Sequence, residues 1–234
     1  SDELLEHQEQ VFKSLVIIGG GVIGMEFASL YQMLGCQVTV LEAMDRILPN
    51  MDREVCQNLS MILKKRGVQI FAGARVEQVE KAEEGYTVRF TQKGQSAQVQ
   101  GEVVLCAIGR RPNTQGLFGP DFSVEQERGR ILVDENFQTS VPGVYAVGDV
   151  SARIQLAHVA SAQGTACVER LAGRNPLTDL NAVPSCIYTD PEIACVGLTA
   201  DEAKAAGRAV KVGKYVMFSN GRTVIVQGQR GFIK

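Results

Sequence analysis

The stretch SLVIIGGGVIGMEFASLYQMLGCQVTVLE, residues 14–42, constrains the fold more tightly than any other in the chain. Residues 14–19 form a nearly continuous apolar run, as expected of a parallel strand covered on both faces. Over residues 22–34, Ile23, Phe27, Leu30 and Leu34 recur at helical spacing, and Gly35 stands where a helix closes on a left-handed residue. Residues 37–42 read as a second strand. Between the first strand and the helix lies Gly19-Gly20-Gly21-Val22-Ile23-Gly24, which fits G-x-G-x-x-G. In such a turn Gly19 permits the reversal from strand to helix, Gly21 lets the backbone approach a pyrophosphate, and Gly24 lets the helix lie against the strand. The unpaired N–H groups and positive end of the helix then favour an anion. A glycine-rich turn alone also serves simple packing. Preceded by a strand, opening a helix and followed by an acid at the next strand end, it predicts a dinucleotide site on Gly19, Gly21, Val22, Ile23 and Gly24.

The acid is Glu42, and it predicts NAD rather than NADP. A carboxylate at that strand tip accepts hydrogen bonds from ribose hydroxyls and repels a 2′-phosphate. The residues that follow are Ala43, Met44 and Asp45, so Arg46 comes only after two acids. The competing reading of Glu42 is an ordinary surface charge at a strand end. Glu26 puts a second carboxylate within the first turn or so of the helix, where the dipole favours negative charge. It serves either as dipole compensation or as one half of an ion pair near a redox centre, with a cation that the sequence does not identify.

Further along, residues 52–66 read as a helix ending at Gly67, followed by a third strand, so the opening half is a βαβαβ series with a parallel sheet and right-handed crossovers. GYTVRFTQ, GQSAQVQG and EVVLCAIG then read as strands of an antiparallel meander returning to the main sheet. Two short strands are expected around Val141-Pro142-Gly143, a helix over 159–171, strands at SCIYTD, VKVGKYVMF and TVIVQGQ, and a helix at TADEAKAAG. The expected fold class is α/β: a Rossmann-like parallel sheet with an antiparallel meander, followed by a partial second domain and the start of an α+β domain.

Composition narrows the function classes. With 45% hydrophobic and 21% charged residues, the 234-residue chain is of globular type. A net charge of −2 gives no electrostatic reason to expect nucleic acid or an anionic membrane as partner. No apolar run approaches the roughly 20 residues that span a bilayer, and SDELLEHQEQ is too acidic for a leader, so the expected location is cytoplasmic. The six cysteines contain no C-x-x-C, which predicts reduced, mostly buried thiols and no metal site.

VIIGGGVIGMEFA, VTVLEAMDRILP, VVLCAIGRRPNT, TSVPGVYAVGDV, LAHVASAQG and VPSCIYTDPEIACVG occur in that order. Together they resemble the pyridine nucleotide–disulfide oxidoreductases, most nearly the dihydrolipoamide dehydrogenases among them, from about residue 14 to residue 234. The resemblance implies that Gly19, Gly21, Gly24 and Glu42 contact NAD and that Gly109 lies along the nicotinamide-side cleft. It implies that Glu26 pairs with a lysine beside the flavin, that Asp149 binds the ribityl chain of FAD, and that Ala157 and His158 lie by the flavin ring. The residues support Asp149 independently, because Gly-Asp after an apolar strand puts a carboxylate at the cleft end of a sheet; the competing reading is a helix cap. His158, at a helix start, reads as a backbone or packing contact rather than a base.

Enzymes of this family carry an earlier G-x-G-x-x-G for FAD, a C-x-x-x-x-C redox disulfide and a late catalytic His–Glu pair. None is found here, where the only histidines are His7 and His158. The implied organisation is a linker over 1–13, an NAD-binding domain over 14–111, the later part of an FAD-binding domain over 112–181, and a truncated dimerisation domain over 182–234. A chain so composed is expected to be inactive by itself. The implied parent oxidises a dihydrolipoyl substrate with NAD through FAD and is a homodimer. Another NAD-linked disulfide reductase, such as a mercuric reductase, and a stand-alone NAD-binding sensor are the alternatives.

Overall fold

The computed structural model describes residues 2–6, 12–152, 154–226 and 231–234. They divide into two compact units, Ser1–Gly109 with Ser185–Lys234, and Arg110–Pro184.

In the first unit a short helix α1 (Asp2–Glu6) precedes the alternating elements β1 (Ser14–Ile18), α2 (Val22–Met33), β2 (Gln37–Glu42), α3 (Arg53–Lys65) and β3 (Gln69–Ala72). Three strands follow, β4 (Ala74–Lys81), β5 (Tyr86–Gln92) and β6 (Gln95–Gly101), before β7 (Val103–Cys106) returns to the first sheet. That sheet has the order β3-β2-β1-β7, and every pairing in it is parallel. The antiparallel sheet β4-β5-β6 is separate.

The pleat of β1 shows why its sequence is apolar throughout. Leu15 and Ile17 enter a core with Met25 and Ala28 of α2 and Leu59 and Leu63 of α3, while Val16 faces the other way. There Val16 packs with Leu41 against Ala74, Val88 and Phe90 of the meander. A strand covered on both faces has no position left for a polar side chain. Helix α3 shows the complementary pattern, burying Cys56, Leu59, Ile62 and Leu63 on one side, with Asp52 capping its N-terminus and Lys64 and Lys65 in its last turn.

Several expectations need correction. Residues 1–13 are not simply a linker: Asp2–Glu6 is helical, and Phe12 is buried with its ring stacked on Tyr31; residues 1 and 7–11 lie outside the described residues. Strand β4 went unread because its register shifts between Val76 and Gln78, so its apolar residues lose their alternation. Of the two strands expected around Val141-Pro142-Gly143 within residues 129–149, Arg130 and Ile131 form one, and beside the turn itself there is only a bridge, Gln138 with Tyr145, among the described residues. All six cysteines are free, but Cys106, Cys186 and Cys195 are exposed.

After residue 184 the structure is made of short pieces: β10 (Pro184–Ile187) paired with β11 (Ile193–Val196), α5 (Ala200–Ala205), β12 (Tyr215–Val216), α6 (Gly221–Ile225) and β13 (Phe232–Ile233). Thr199 closes α5 with a capping box to Glu202. The strand expected at TVIVQGQ is a helix where it is described, since Thr223, Val224 and Ile225 belong to α6 and Gln227, Gly228 and Gln229 lie outside the described residues. Of VKVGKYVMF only Tyr215 and Val216 are in a strand.

The second unit contains the antiparallel pair β8 (Gln126–Glu127) and β9 (Arg130–Ile131), numbered between β7 and β10, and helix α4 (Ala157–Leu171), between α3 and α5. Its core is Phe137, Ala166 and Cys167, with Tyr145, Val147 and Leu180 packed against them.

Candidate functional site

The turn between β1 and α2 is built by close backbone approach. Gly19 has φ +109°, and a Cβ there would overlap the carbonyl of Ala107. A Cβ on Gly24 would overlap the Gly19 carbonyl oxygen, so α2 lies against the end of β1 as only glycine allows. The Gly19 N–H donates to the Leu41 carbonyl at 2.8 Å, and the Leu48 N–H donates to the Gly20 carbonyl at 2.8 Å, pinning the turn from both sides. Gly21 is different: a Cβ there would meet nothing within 4 Å. It is the N-cap of α2 and offers no side-chain hydrogen bond, so the first N–H groups of that helix, on Val22, Ile23 and Gly24, have no cap from the N-cap residue. Backbone donors over open space at a helix N-terminus are what a pyrophosphate requires.

Glu42 is not a surface charge. Its side chain is buried, with Oε2 accepting from the Gly20 N–H at 2.5 Å and Oε1 accepting from the Met44 N–H at 2.7 Å. The acid at the tip of β2 is thereby fastened to the glycine turn. A carboxylate has about four acceptor positions, so these two bonds leave capacity for ribose hydroxyls. Sequence reasoning missed the bond to Gly20, for which no local signal exists.

Glu26 is half-buried, and the partner the structure gives it is a backbone group: Oε1 accepts from the Tyr188 N–H at 2.9 Å. Beside it the buried Ser29 accepts from the Asp190 N–H at 2.9 Å. Asp190 in turn accepts from Arg66 at its carbonyl and at its carboxylate, each at 2.7 Å. Asp190 lies within VPSCIYTDPEIACVG, but neither Ser29 nor Arg66 belongs to a motif, and only the fold brings the three beside Glu26. Gly109 follows β7, exposed, with φ +123°.

Asp149, Ala157 and His158 belong to the second unit. Asp149 is exposed on a single turn of 3₁₀ helix, Gly148–Val150, between a bridge residue and α4. That turn sits hard against α4: the Gly148 N–H donates to Gln163 Oε1 at 2.9 Å, and a Cβ on Gly148 would crowd the methyl of Ala160 at 3.0 Å. Asp149 does not cap α4, whose N-cap is Leu156. His158 Nε2 lies 2.9 Å from the Pro184 carbonyl oxygen, a backbone contact. Among the described residues no cluster of His, Cys, Asp and Glu could hold a metal ion, and no helix is long and apolar enough to cross a membrane.

Burial holds the Cys36 and Cys56 thiols above the ordinary range, and the Cys56 Sγ lies 3.2 Å from the Leu48 carbonyl oxygen, so both act as packing groups.

Comparison with known proteins agrees with this geometry. Residues 1–164 match the family model described as pyridine nucleotide-disulphide oxidoreductase, and residues 183–234 match the dimerisation domain of the same family. A dihydrolipoyl dehydrogenase of Bacillus subtilis is 41% identical, the match taking in 100% of this chain and 50% of that protein. One of Thermus scotoductus is also 41% identical, over 100% of this chain and 51% of its own. The chain thus spans about half the length of the curated relatives it matches. Among solved structures, the HOCl-induced flavoprotein disulfide reductase RclA from Escherichia coli superposes with a TM-score of 0.86 at 29% identity, over 97% of this chain and 52% of that one. A family model that accounts for most of the residues, together with relatives matched over the whole of this chain, leads to one assignment: the chain belongs to the pyridine nucleotide–disulphide oxidoreductases.

Proposed function

We propose that the chain is the NAD-binding portion of a flavin-dependent disulfide oxidoreductase, with dihydrolipoamide and NAD⁺ as the substrates of the whole protein. The observation that carries this reading is the turn at Gly19–Gly24, closed to side chains at Gly19 and Gly24, open at Gly21, and tied to Glu42 through the Gly20 N–H. The donors fit a pyrophosphate, and the buried acid fits the ribose of NAD better than the phosphorylated ribose of NADP.

In this reading residues 14–111 hold NAD, residues 112–181 contribute one wall of an FAD site through Asp149, Ala157 and His158, and residues 182–234 belong to a homodimer interface. FAD and a redox-active disulfide, when bound and present, supply the electron transfer between dithiol and pyridine nucleotide. The chain's own residues do the placing. The N–H groups of Gly21, Val22 and Ile23 hold the pyrophosphate, Glu42 orients the adenosine ribose, and Gly109 and Glu26 bound the nicotinamide side. Neither a C-x-x-x-x-C nor a late His–Glu pair occurs in the sequence, so the dithiol chemistry needs residues supplied from elsewhere in the whole protein. The 234 residues expressed alone are expected to show no dihydrolipoamide:NAD⁺ activity.

The likeness to RclA supports a second reading, another disulfide reductase that uses the same cofactors. Assaying the product of the intact gene separates the two. Reduction of NAD⁺ by dihydrolipoamide, at a flavin-containing protein with a C-x-x-x-x-C, is the expected result. A flavoprotein that turns over another disulfide or a metal ion and leaves dihydrolipoamide untouched would replace the first reading with the second.

A further inference from the structure

Residues 187–190 run from the end of β10 into a bend beside α2, and the bonds that hold them there follow from no motif. Ile187 is fully buried in the same core as Met25 and Ala28. The Tyr188 N–H donates to Glu26 and the Asp190 N–H donates to Ser29, both at 2.9 Å. Glu26 and Ser29, three apart, share one helix face, and the N–H groups of Tyr188, just past β10, and of Asp190, in the bend that follows, both reach that face. The far end of the segment is closed by Arg66, the C-cap of α3, which donates Nη1–H to the Asp190 carbonyl and Nη2–H to its carboxylate.

A cation at the end of α3 has a sufficient reason in the helix dipole alone. The geometry here goes further. The Arg66 side chain is 19% exposed, against 52% for Asp190, and it spans two acceptors of one residue. A guanidinium forked in this way fixes orientation as well as distance, which an exposed single-contact pair does not. The Asp190 N–H, between those two acceptors and Ser29, can reach the buried hydroxyl only while the residue is held in place.

We infer that Arg66 is a positioning residue for the nicotinamide end of the site: by clamping Asp190 it holds residues 187–190 on α2, and through the Tyr188 N–H it sets the Glu26 carboxylate. One oxygen of Glu26 is committed to Tyr188, which restricts the side chain's torsions and leaves the other to accept from the dinucleotide. Glu42 and the glycine turn, which serve the adenosine and pyrophosphate, are tied together by their own bonds and do not depend on the clamp. The inference rests on the NAD reading proposed above, and it assigns to that site a residue at the end of the next helix, α3, that no motif marks.

The test compares NADH with ADP-ribose, which lacks the nicotinamide, by calorimetric titration of the chain and of Arg66→Met. The variant is expected to bind NADH about fivefold to tenfold more weakly, the size of one ordinary hydrogen-bonded link felt indirectly at the site, and ADP-ribose within about twofold of the unmutated chain. Amide hydrogen exchange should accelerate at Tyr188 and Asp190 but not along β1. Arg66→Lys, keeping the charge and one of the two bonds, should fall between. If Arg66→Met does not fold, Ser29→Ala releases the Asp190 N–H alone and should weaken NADH selectively in the same sense. Unchanged NADH binding in the variants, or equal losses for NADH and ADP-ribose, would overturn the inference while leaving the NAD reading intact. An unmutated chain that binds neither ligand would overturn both.

Discussion

Gly24 decides between two opposing effects of a single methyl group. Replacing a glycine by alanine inside an exposed helix gains about 1 kcal/mol of helix propensity. At this position the added Cβ would overlap the carbonyl oxygen of Gly19, and a backbone atom cannot rotate away. Forcing atoms into a packed site costs about 1–3 kcal/mol, and an overlap with rigid backbone belongs at the upper end of that range, so Gly24→Ala is expected to destabilise the chain by up to about 2 kcal/mol in urea unfolding and to displace the turn. A more stable variant would mean that the turn is looser than described. At this scale the sequence was informative where the backbone itself makes the site, since the glycine spacing states the geometry. It was uninformative about partners. Glu42 was placed at the right strand tip, but its bonds to Gly20 and Met44 depend on how the turn folds back. The cysteines make the same point, because nothing in their local sequence separates buried from exposed. Maleimide labelling of the folded chain is expected to modify Cys106 and Cys186 first. Cys195 should follow more slowly, its thiol held protonated by burial and by the neighbouring Cys186 and Glu202. Cys36, Cys56 and Cys167 should react only after unfolding, and early labelling of Cys56 would contradict the packing.

Among the elements, α3 carries a cap whose contribution can be switched by pH. Asp52 Oδ1 accepts from the N–H groups of Glu54 and Val55, and Oδ2 from the Lys234 ammonium at 2.7 Å. Burial works against the charged carboxyl, but the bonds from Lys234, Glu54 and Val55 outweigh it, and the pKa lies below the ordinary value. A group whose pKa is lowered on folding stabilises above its unfolded pKa, near pH 4, and loses that contribution as pH falls through the folded value. Asp52→Ala is therefore expected to cost about 1 kcal/mol at pH 7, with the gap to the unmutated chain closing below about pH 4. A gap independent of pH would assign the cap to something other than the carboxylate. The elements that could be read from sequence are those with an unbroken period: β1, α2, β2 and α3 lie within a residue or so of their expected bounds. Strand β4 could not be read because a bulge breaks its alternation. Residues 223–225 were misread for another reason. Thr-Val-Ile favours a strand only beside a neighbour to pair with, and here the Asn220 side chain caps a helix instead by accepting from the Thr223 N–H.

Over the whole molecule, the parallel order β3-β2-β1-β7 follows from the alternation of strand and helix, while the separate meander enters as an insertion between β3 and β7. Contacts between residues more than a hundred apart, such as Arg66 with Asp190 and Glu26 with Tyr188, were beyond any local pattern, and they give residues 187–190 their place in the first unit. The family was recognisable from its ordered motifs, and the structure adds how the acid and the glycine turn are joined into one piece by hydrogen bonds. The claim at the centre of this account is that this piece selects NAD. It is tested most directly by equilibrium titration of the chain with NADH and NADPH, repeated with Glu42→Gln, which removes the charge and keeps an acceptor for the Gly20 N–H. The unmutated chain is expected to prefer NADH by about tenfold or more, and the variant to lose most of that preference by binding NADPH better. Equal affinity of the unmutated chain for the two nucleotides, or no affinity for either, would contradict it.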